Sequence, residues 1–324
     1  MRQESILSIR NLRVHFVTPR GTVKAVDGVD LHVKPGETMV VLGESGCGKT
    51  VTALSIMRLV ATPPGRIVSG EIYFEGKDIL KMKPNAVRAL RGKEIAMIFQ
   101  EPMSSLNPAF TVGEQIMEVL RLHQGLKGKD ALDKAIEMLK LVKIPSPEKR
   151  VHEYPHQLSG GMKQRIMIAM ALSCRPRLLI ADEPTASLDV TIQAQILELM
   201  KELRRQIGTT TLLITHSLGV AAEMADRATV MYAGQVVEVA PIKELFHDAR
   251  HPYTRGLLRS MVDLKRDAKW LDVIPGAPPN PARVPDGCRF HPRCPRADDR
   301  CRKEEARYVS VAPGRWVRCW YPDN

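Results

Sequence analysis

VVLGESGCGKTVTA, residues Val40 to Ala53, decides how the rest of this 324-residue chain is read. An apolar strand runs into Gly43, a glycine-rich turn follows, and a helix begins near Lys49. That is the context a phosphate-binding loop requires. Gly43, Gly46 and Gly48 permit backbone angles that a side chain forbids. Successive N–H groups can therefore turn inward and, with the positive helix N-terminus, cradle phosphate oxygens. In that geometry Lys49 reaches the β- and γ-phosphates and Thr50 places its hydroxyl on Mg²⁺.

Upstream, residues 6 to 42 alternate apolar and polar positions in short runs broken by Gly21, Gly28 and Pro35-Gly36, the pattern of β-strands with tight turns. Phe16 ends the first run, placed either to stack on an adenine ring or to join the core. Downstream, the apolar spacing Val51, Leu54, Met57, Val60 continues the helix until Pro63-Pro64-Gly65. A second β stretch follows, and then KEIAMIFQ, whose last residue, Gln100, enters the turn EPMSSLNP. An amide at a strand end can hold Mg²⁺ or water beside phosphates, or it is an ordinary surface glutamine.

Residues 111 to 152 switch to helical period and predict a helical insert between strands. In YPHQLSGGMKQRIMIAMAL, Ser159 is an N-cap followed by Gly160 and Gly161, giving a second helix N-terminus open to an anion. The apolar run LLIAD then predicts a buried strand ending in Asp182-Glu183. Two adjacent carboxylates there suit Mg²⁺ chemistry, Asp182 addressing the metal through its shell and Glu183 polarising the attacking water; the alternative is an acidic turn. A long helix and the strand TTLLITH complete the alternation, with His216 at the strand's C-terminal edge, where open parallel sheets bind ligands. An isolated histidine is more often structural.

Apolar residues make up 44% and charged residues 26%, an ordinary globular composition. The formal net charge of +12 fits nucleic acid, an anionic membrane surface or water equally. No apolar run approaches the roughly 20 residues that span a bilayer, and the first residues lack a signal-peptide core. The chain is therefore expected in the cytosol, reaching a membrane through partners.

Together these residues resemble the nucleotide-binding subunit of an ATP-binding cassette (ABC) transporter. In family order they are the loop Gly43 to Thr50, Gln100, the signature LSGGMKQR from Leu158 to Arg165, Asp182-Glu183, the loop Ala186-Ser187-Leu188-Asp189, and His216. The resemblance implies a mixed α/β fold of the phosphate-loop NTPase type, with an antiparallel β subdomain, a helical subdomain (about 101–165) and a proline-rich C-terminal extension. Residues 1–240 would be the nucleotide-binding domain and 241–324 the extension. It also implies a head-to-tail dimer, in which Ser159, Gly160 and Gly161 serve the partner's nucleotide. Phe16 would stack on adenine, Glu183 act as general base and His216 sense the γ-phosphate. The implied ATP contacts are Phe16, Gly43, Ser45, Gly46, Cys47, Gly48, Lys49, Thr50, Val51 and Asp189, with Thr50, Gln100 and Asp182 serving Mg²⁺. Ser217 stands where many relatives carry Asp.

The last 84 residues hold 11 of the 23 prolines and read as an extended appendage without a large core of its own. HPYTRGLL and GCRFHPRCPRADDRC resemble the dipeptide and oligopeptide import ATPases of bacteria. The implied partners are two transmembrane permeases, a second homologous ATPase and an extracytoplasmic peptide-binding protein, at the cytoplasmic face of the inner membrane. Nickel, glutathione or another small solute is the alternative cargo. The rival class is a soluble ABC ATPase acting on ribosomes or DNA; the single cassette and the tail speak against it, and no nucleic-acid partner is expected. Cys288, Cys294, Cys301 and Cys319 match neither the paired C-x-x-C zinc pattern nor the simple ferredoxin run, leaving metal or free thiols open. The resemblance implies a 4Fe-4S cluster, with zinc as alternative.

Overall fold

The computed structural model describes residues 5–19, 21–100, 105–186, 188–260 and 273–322. The expected turn residues Glu101 to Ser104, and Ser187 of the Ala186–Asp189 loop, lie outside them. The chain divides into two compact units, one of residues 1–81 with 214–324, the other of residues 82–213.

The first unit begins with a four-stranded sheet in the order β2-β1-β4-β5, from β1 (Leu7–Thr18), β2 (Gly21–Val33), β4 (Gly65–Phe74) and β5 (Lys77–Asp78). All its pairings are antiparallel. Alternation along β1 buries Leu7, Ile9, Leu12 and Val14. The register shifts between Ile9 and Leu12, where Asn11 takes a φ of 45°, a conformation asparagine tolerates. β3 (Thr38–Leu42) is TMVVL with all five residues buried, the continuous apolar run of a parallel strand covered on both faces. It pairs in parallel with β9 (Arg227–Tyr232), Val40 opposite Ala228. Antiparallel to β9 runs β10 (Gln235–Pro241).

The tail differs from the appendage its prolines predict. β11 (Tyr308–Ala312) and β12 (Arg315–Arg318) extend the sheet beyond β10, with Val239 opposite Trp316 and Val317 fully buried. Most of its prolines fall in the connections, while Pro241 ends β10 and Pro252 opens a helix, positions where a missing N–H is tolerated. Helix α1 (Lys49–Ile56) also stops earlier than the apolar spacing predicts, because Arg58 adopts a φ of 49° and turns the chain away.

In the second unit come α2 (Pro84–Leu90), β6 (Ile95–Ile98), α3 (Val112–Gln124), α4 (Gly128–Leu141), α5 (Pro147–Arg150), α6 (Gly160–Leu172), β7 (Leu178–Asp182), α7 (Val190–Ile207) and β8 (Thr210–Ile214). β6 and β7 are parallel, Ile95 opposite Leu178. The predicted helical stretch is present as α3 and α4. α3 is started by a capping box, Thr111 Oγ1 accepting from the Glu114 N–H while the Glu114 carboxylate accepts from the Thr111 N–H, and Gly125 closes it. Ile116, Leu120, Ala135, Leu139 and Ile166 are fully buried within this helical part.

Candidate nucleotide-binding site

The phosphate loop leaves β3 at Leu42 and enters α1 at Lys49. Gly43 has a φ of 151°, and a Cβ there would stand 2.3 Å from the Met231 carbonyl oxygen. Gly48 has a φ of 106°, and its Cβ would stand 2.4 Å from the Ala25 carbonyl oxygen. Both obstacles are backbone, which cannot swing aside, so only glycine fits. Gly48 is the N-cap of α1 and offers no side chain to the first-turn N–H groups, leaving them for an anion. Lys49 is buried, and its Nζ donates to the carbonyls of Gly43 at 2.8 Å and Glu44 at 3.1 Å. Ser45, Gly46 and Thr50 are exposed, and Val51 is half-buried. Cys47 is buried, burial pushes its thiol pKa up, and its N–H donates to the Glu44 carbonyl. Phe16 is half-buried on β1; its ring edge lies 2.8 Å from where a Cβ on Gly65 would stand, so the ring rests on that glycine.

The structure brings Gln100 and Glu183 together, Gln100 Nε2 donating to Glu183 Oε2 at 3.2 Å. Asp182 ends β7 buried, and Glu183 follows with a φ of 46°. A left-handed glutamate costs about 1–3 kcal/mol, strain typical of a residue whose direction matters more than its comfort. Ser159 Oγ accepts from the Met162 N–H and caps α6, as the sequence predicts. A Cβ on Gly161 would meet Ile192 Cγ2 at 2.8 Å, whereas one on Gly160 would meet nothing closer than 3.9 Å. Gly161 is thus required by its own fold and Gly160 is not. Asp189 proves to be a helix cap, its Oδ1 accepting from the N–H groups of Thr191 and Ile192 at the start of α7. His216 is exposed two residues beyond β8. Ser217 caps α8 (Leu218–Met224), its Oγ accepting from the Val220 N–H. Aspartate caps equally well, so either residue can start this helix.

Cys288, Cys294, Cys301 and Cys319, none of them in a disulfide, line one recess together with His251 and His291. Burial pushes all four thiol pKa values up, that of Cys288 to about 11. Among the described residues, no group of three or more His, Cys, Asp or Glu side chains is arranged to hold a metal ion. The cysteines therefore gather at one recess without the preformed ligand group that the family resemblance implies.

Three residues escaped the sequence reading. Arg293 grips Glu44 of the phosphate loop with both ends of its guanidinium, at 2.7 and 3.0 Å. Tyr253, on α9 (Pro252–Arg259), accepts the Glu44 N–H on its hydroxyl at 2.9 Å. Arg289 binds the Ala233 carbonyl and the Asp27 carboxylate. Their only signal is membership of HPYTRGLL and GCRFHPRC, which speak of a family rather than of a contact.

Residues 26–186 match the family described as ABC transporter, and residues 237–301 match the oligopeptide/dipeptide transporter C-terminal region. The oligopeptide transport ATP-binding protein AppD of Bacillus subtilis is 51% identical, with 98% of this chain and 96% of that protein aligned. The dipeptide transport ATP-binding protein DppD of Escherichia coli is 48% identical over 98% of this chain and 97% of its own length. Among solved structures, a dimeric post-hydrolysis state of the ATP-binding cassette MJ0796 bound to ADP and Pi superposes with a TM-score of 0.66. It is 26% identical and covers 73% of this chain and 98% of that one. A phosphate loop built as only glycine allows, the LSGG helix start and similarity along almost the whole length place the chain in the ABC transporter family, among its ATP-binding subunits of the oligopeptide/dipeptide type.

Proposed function

We propose that this chain is the ATP-hydrolysing, energy-coupling subunit of an importer that carries dipeptides or oligopeptides across the cytoplasmic membrane. One observation carries the cargo class: the similarity to AppD takes in 98% of this chain, the tail as well as the cassette. Residues 1–240 act as the nucleotide-binding domain, with about 101–165 as its helical part, and 241–324 as the extension.

The phosphate loop holds ATP through its N–H groups, Ser45 and Lys49, and the Phe16 ring supports the adenine. Thr50 supplies a hydroxyl to Mg²⁺, and Gln100 and Asp182 serve the same ion. Glu183 takes a proton from the attacking water and His216 contacts the γ-phosphate. Ser159, Gly160 and Gly161 close over the nucleotide of a second, homologous subunit. The open space at Gly160 supports this, because a glycine that its own fold does not require leaves room for close approach. Among the described residues no helix is long and apolar enough to cross a membrane. Two permeases supply the path, an extracytoplasmic binding protein delivers the peptide, and this chain lies against the cytoplasmic face of the inner membrane.

The four cysteines hold a 4Fe-4S cluster in preference to zinc. A single zinc ion draws four thiolates to about 2.3 Å from one centre. A cluster carries its own sulfides and takes four thiolates, and all four cysteines line one recess. Binding must release the thiol protons that burial retains. Iron and acid-labile sulfide in anaerobically purified protein are the expected finding; zinc alone, or neither, rejects it.

Purification in mild detergent from native membranes tests the whole reading. Two multi-span permeases, a second ATPase and a peptide-binding protein should accompany the chain. Ribosomal proteins or nucleic acid without permeases would overturn it.

A further inference from the structure

Glu44 is the second residue of the phosphate loop, and three of its groups are engaged at once. Its carbonyl accepts from Lys49 Nζ at 3.1 Å, its N–H donates to the Tyr253 hydroxyl at 2.9 Å, and its carboxylate is paired with Arg293. Glu44 thus joins the lysine of the loop to two points of the tail. Every donor of Arg293 is used: Nε on the Pro275 carbonyl, Nη1 on Glu44 and the Tyr232 hydroxyl, Nη2 on Glu44 and the Ile274 carbonyl. Its side chain is 5% exposed. A buried, bidentate, fully coordinated guanidinium fixes its partner in direction as well as distance.

Both holders of Glu44 adjoin residues that line the four-cysteine recess. Arg293 immediately precedes Cys294, in a tight double turn where the His291 N–H donates to the Cys288 carbonyl and the Cys294 N–H to the His291 carbonyl. Tyr253 follows Pro252, which lines the recess, and its ring packs 5.4 Å from that of Phe290, which lines it too. This arginine and this tyrosine thus connect the segments that flank the recess to the phosphate loop.

We propose that Arg293 is a positioning residue for nucleotide binding: with Tyr253 it holds Glu44, and it thereby couples the chemical state of the four-cysteine recess to the affinity of the phosphate loop for ATP. The proposal rests on the reading of that loop as the ATP site. Because coupling is reciprocal, nucleotide alters the recess as much as the recess alters nucleotide binding.

The test is the Kd for a fluorescent ATP analogue, measured on the full chain with unfolding temperature recorded in parallel. Arg293→Ala should raise Kd about 10-fold, and Arg293→Lys, a point charge without the fork, by less. Glu44→Ala should match Arg293→Ala, and the double variant should be no worse than either, since each cuts the same link. Tyr253→Phe keeps the ring, removes one acceptor and should raise Kd about 3-fold, so the proposal stays testable if Arg293→Ala fails to fold. In protein whose cysteines have been freed of any metal by chelator and reductant, saturating analogue should also slow N-ethylmaleimide labelling of the tail cysteines in wild type and not in Tyr253→Phe. Folded variants with unchanged Kd, a double variant whose effect is the product of the singles, or labelling indifferent to nucleotide would each overturn the proposal. Failure of the wild type to bind the analogue would instead overturn the reading of the loop itself.

Discussion

Glu183→Gln separates chemistry from structure more cleanly than other changes at the site. Glu183 sits at a φ of 46° and accepts a hydrogen bond from Gln100 Nε2 at 3.2 Å. Glutamine has the same length, keeps an oxygen able to accept that bond and bears the left-handed backbone at the same cost. The change in folding stability should therefore stay within about 0.5 kcal/mol. The phosphate loop is untouched, so ATP affinity should hold within a factor of about three. What disappears is the base: general-base catalysis contributes about 10²–10⁴-fold, equivalent to about 3–5 kcal/mol of barrier. Phosphate release under saturating ATP should thus fall at least about 100-fold, while size-exclusion chromatography shows a nucleotide-bound dimer accumulating. Turnover within a few-fold of wild type would show that another group takes the proton.

Three further outcomes follow from the geometry. Asp189→Ala removes the cap of α7 and should cost about 1 kcal/mol, or about 3 °C in unfolding temperature, with Asp189→Asn nearly neutral; an unchanged melt would show the cap idle. Gly43→Ala drives a Cβ into the Met231 carbonyl and should abolish binding of an ATP analogue, and retained affinity would show that the loop tolerates a side chain. His251 is fully buried and its pKa is pushed down to about 3 by burial, so the unfolded chain binds more protons between about pH 6.5 and 3. Its contribution is complete above about pH 6.5 and is lost as pH falls, by up to about 1.4 kcal/mol per unit. Glu238, whose pKa burial raises, contributes with the opposite sign. The urea midpoint of wild type should therefore drop more between pH 7 and 5 than that of His251→Gln; equal drops would refute the assignment.

Local chemistry made the site legible. The spacing of Gly43, Gly48 and Lys49 encodes its own loop, Ser159 announces the start of α6, and five apolar residues spell β3. Contacts between distant residues left no such trace. Arg293 and Glu44 lie 249 positions apart, and no periodicity marks either. β11 and β12 are four or five residues long and sit in text dominated by prolines, so the turn signals outweighed two short alternating runs. Asp189 illustrates a subtler loss. The residue type that suits a nucleotide contact also suits a helix cap, and only hydrogen-bond geometry reveals the second role. The four cysteines show the reverse: their spacing matches no simple metal pattern, yet the fold collects them around one recess.

In the proposed function, ATP hydrolysis by this chain drives peptide import. The direct measurement is uptake of a labelled peptide by proteoliposomes containing the complex purified with this chain, with ATP enclosed on the side it faces. Uptake that requires ATP and the binding protein, and that vanishes with Glu183→Gln, is the predicted result. Hydrolysis indifferent to the binding protein and its peptide, with no label entering, would contradict that coupling.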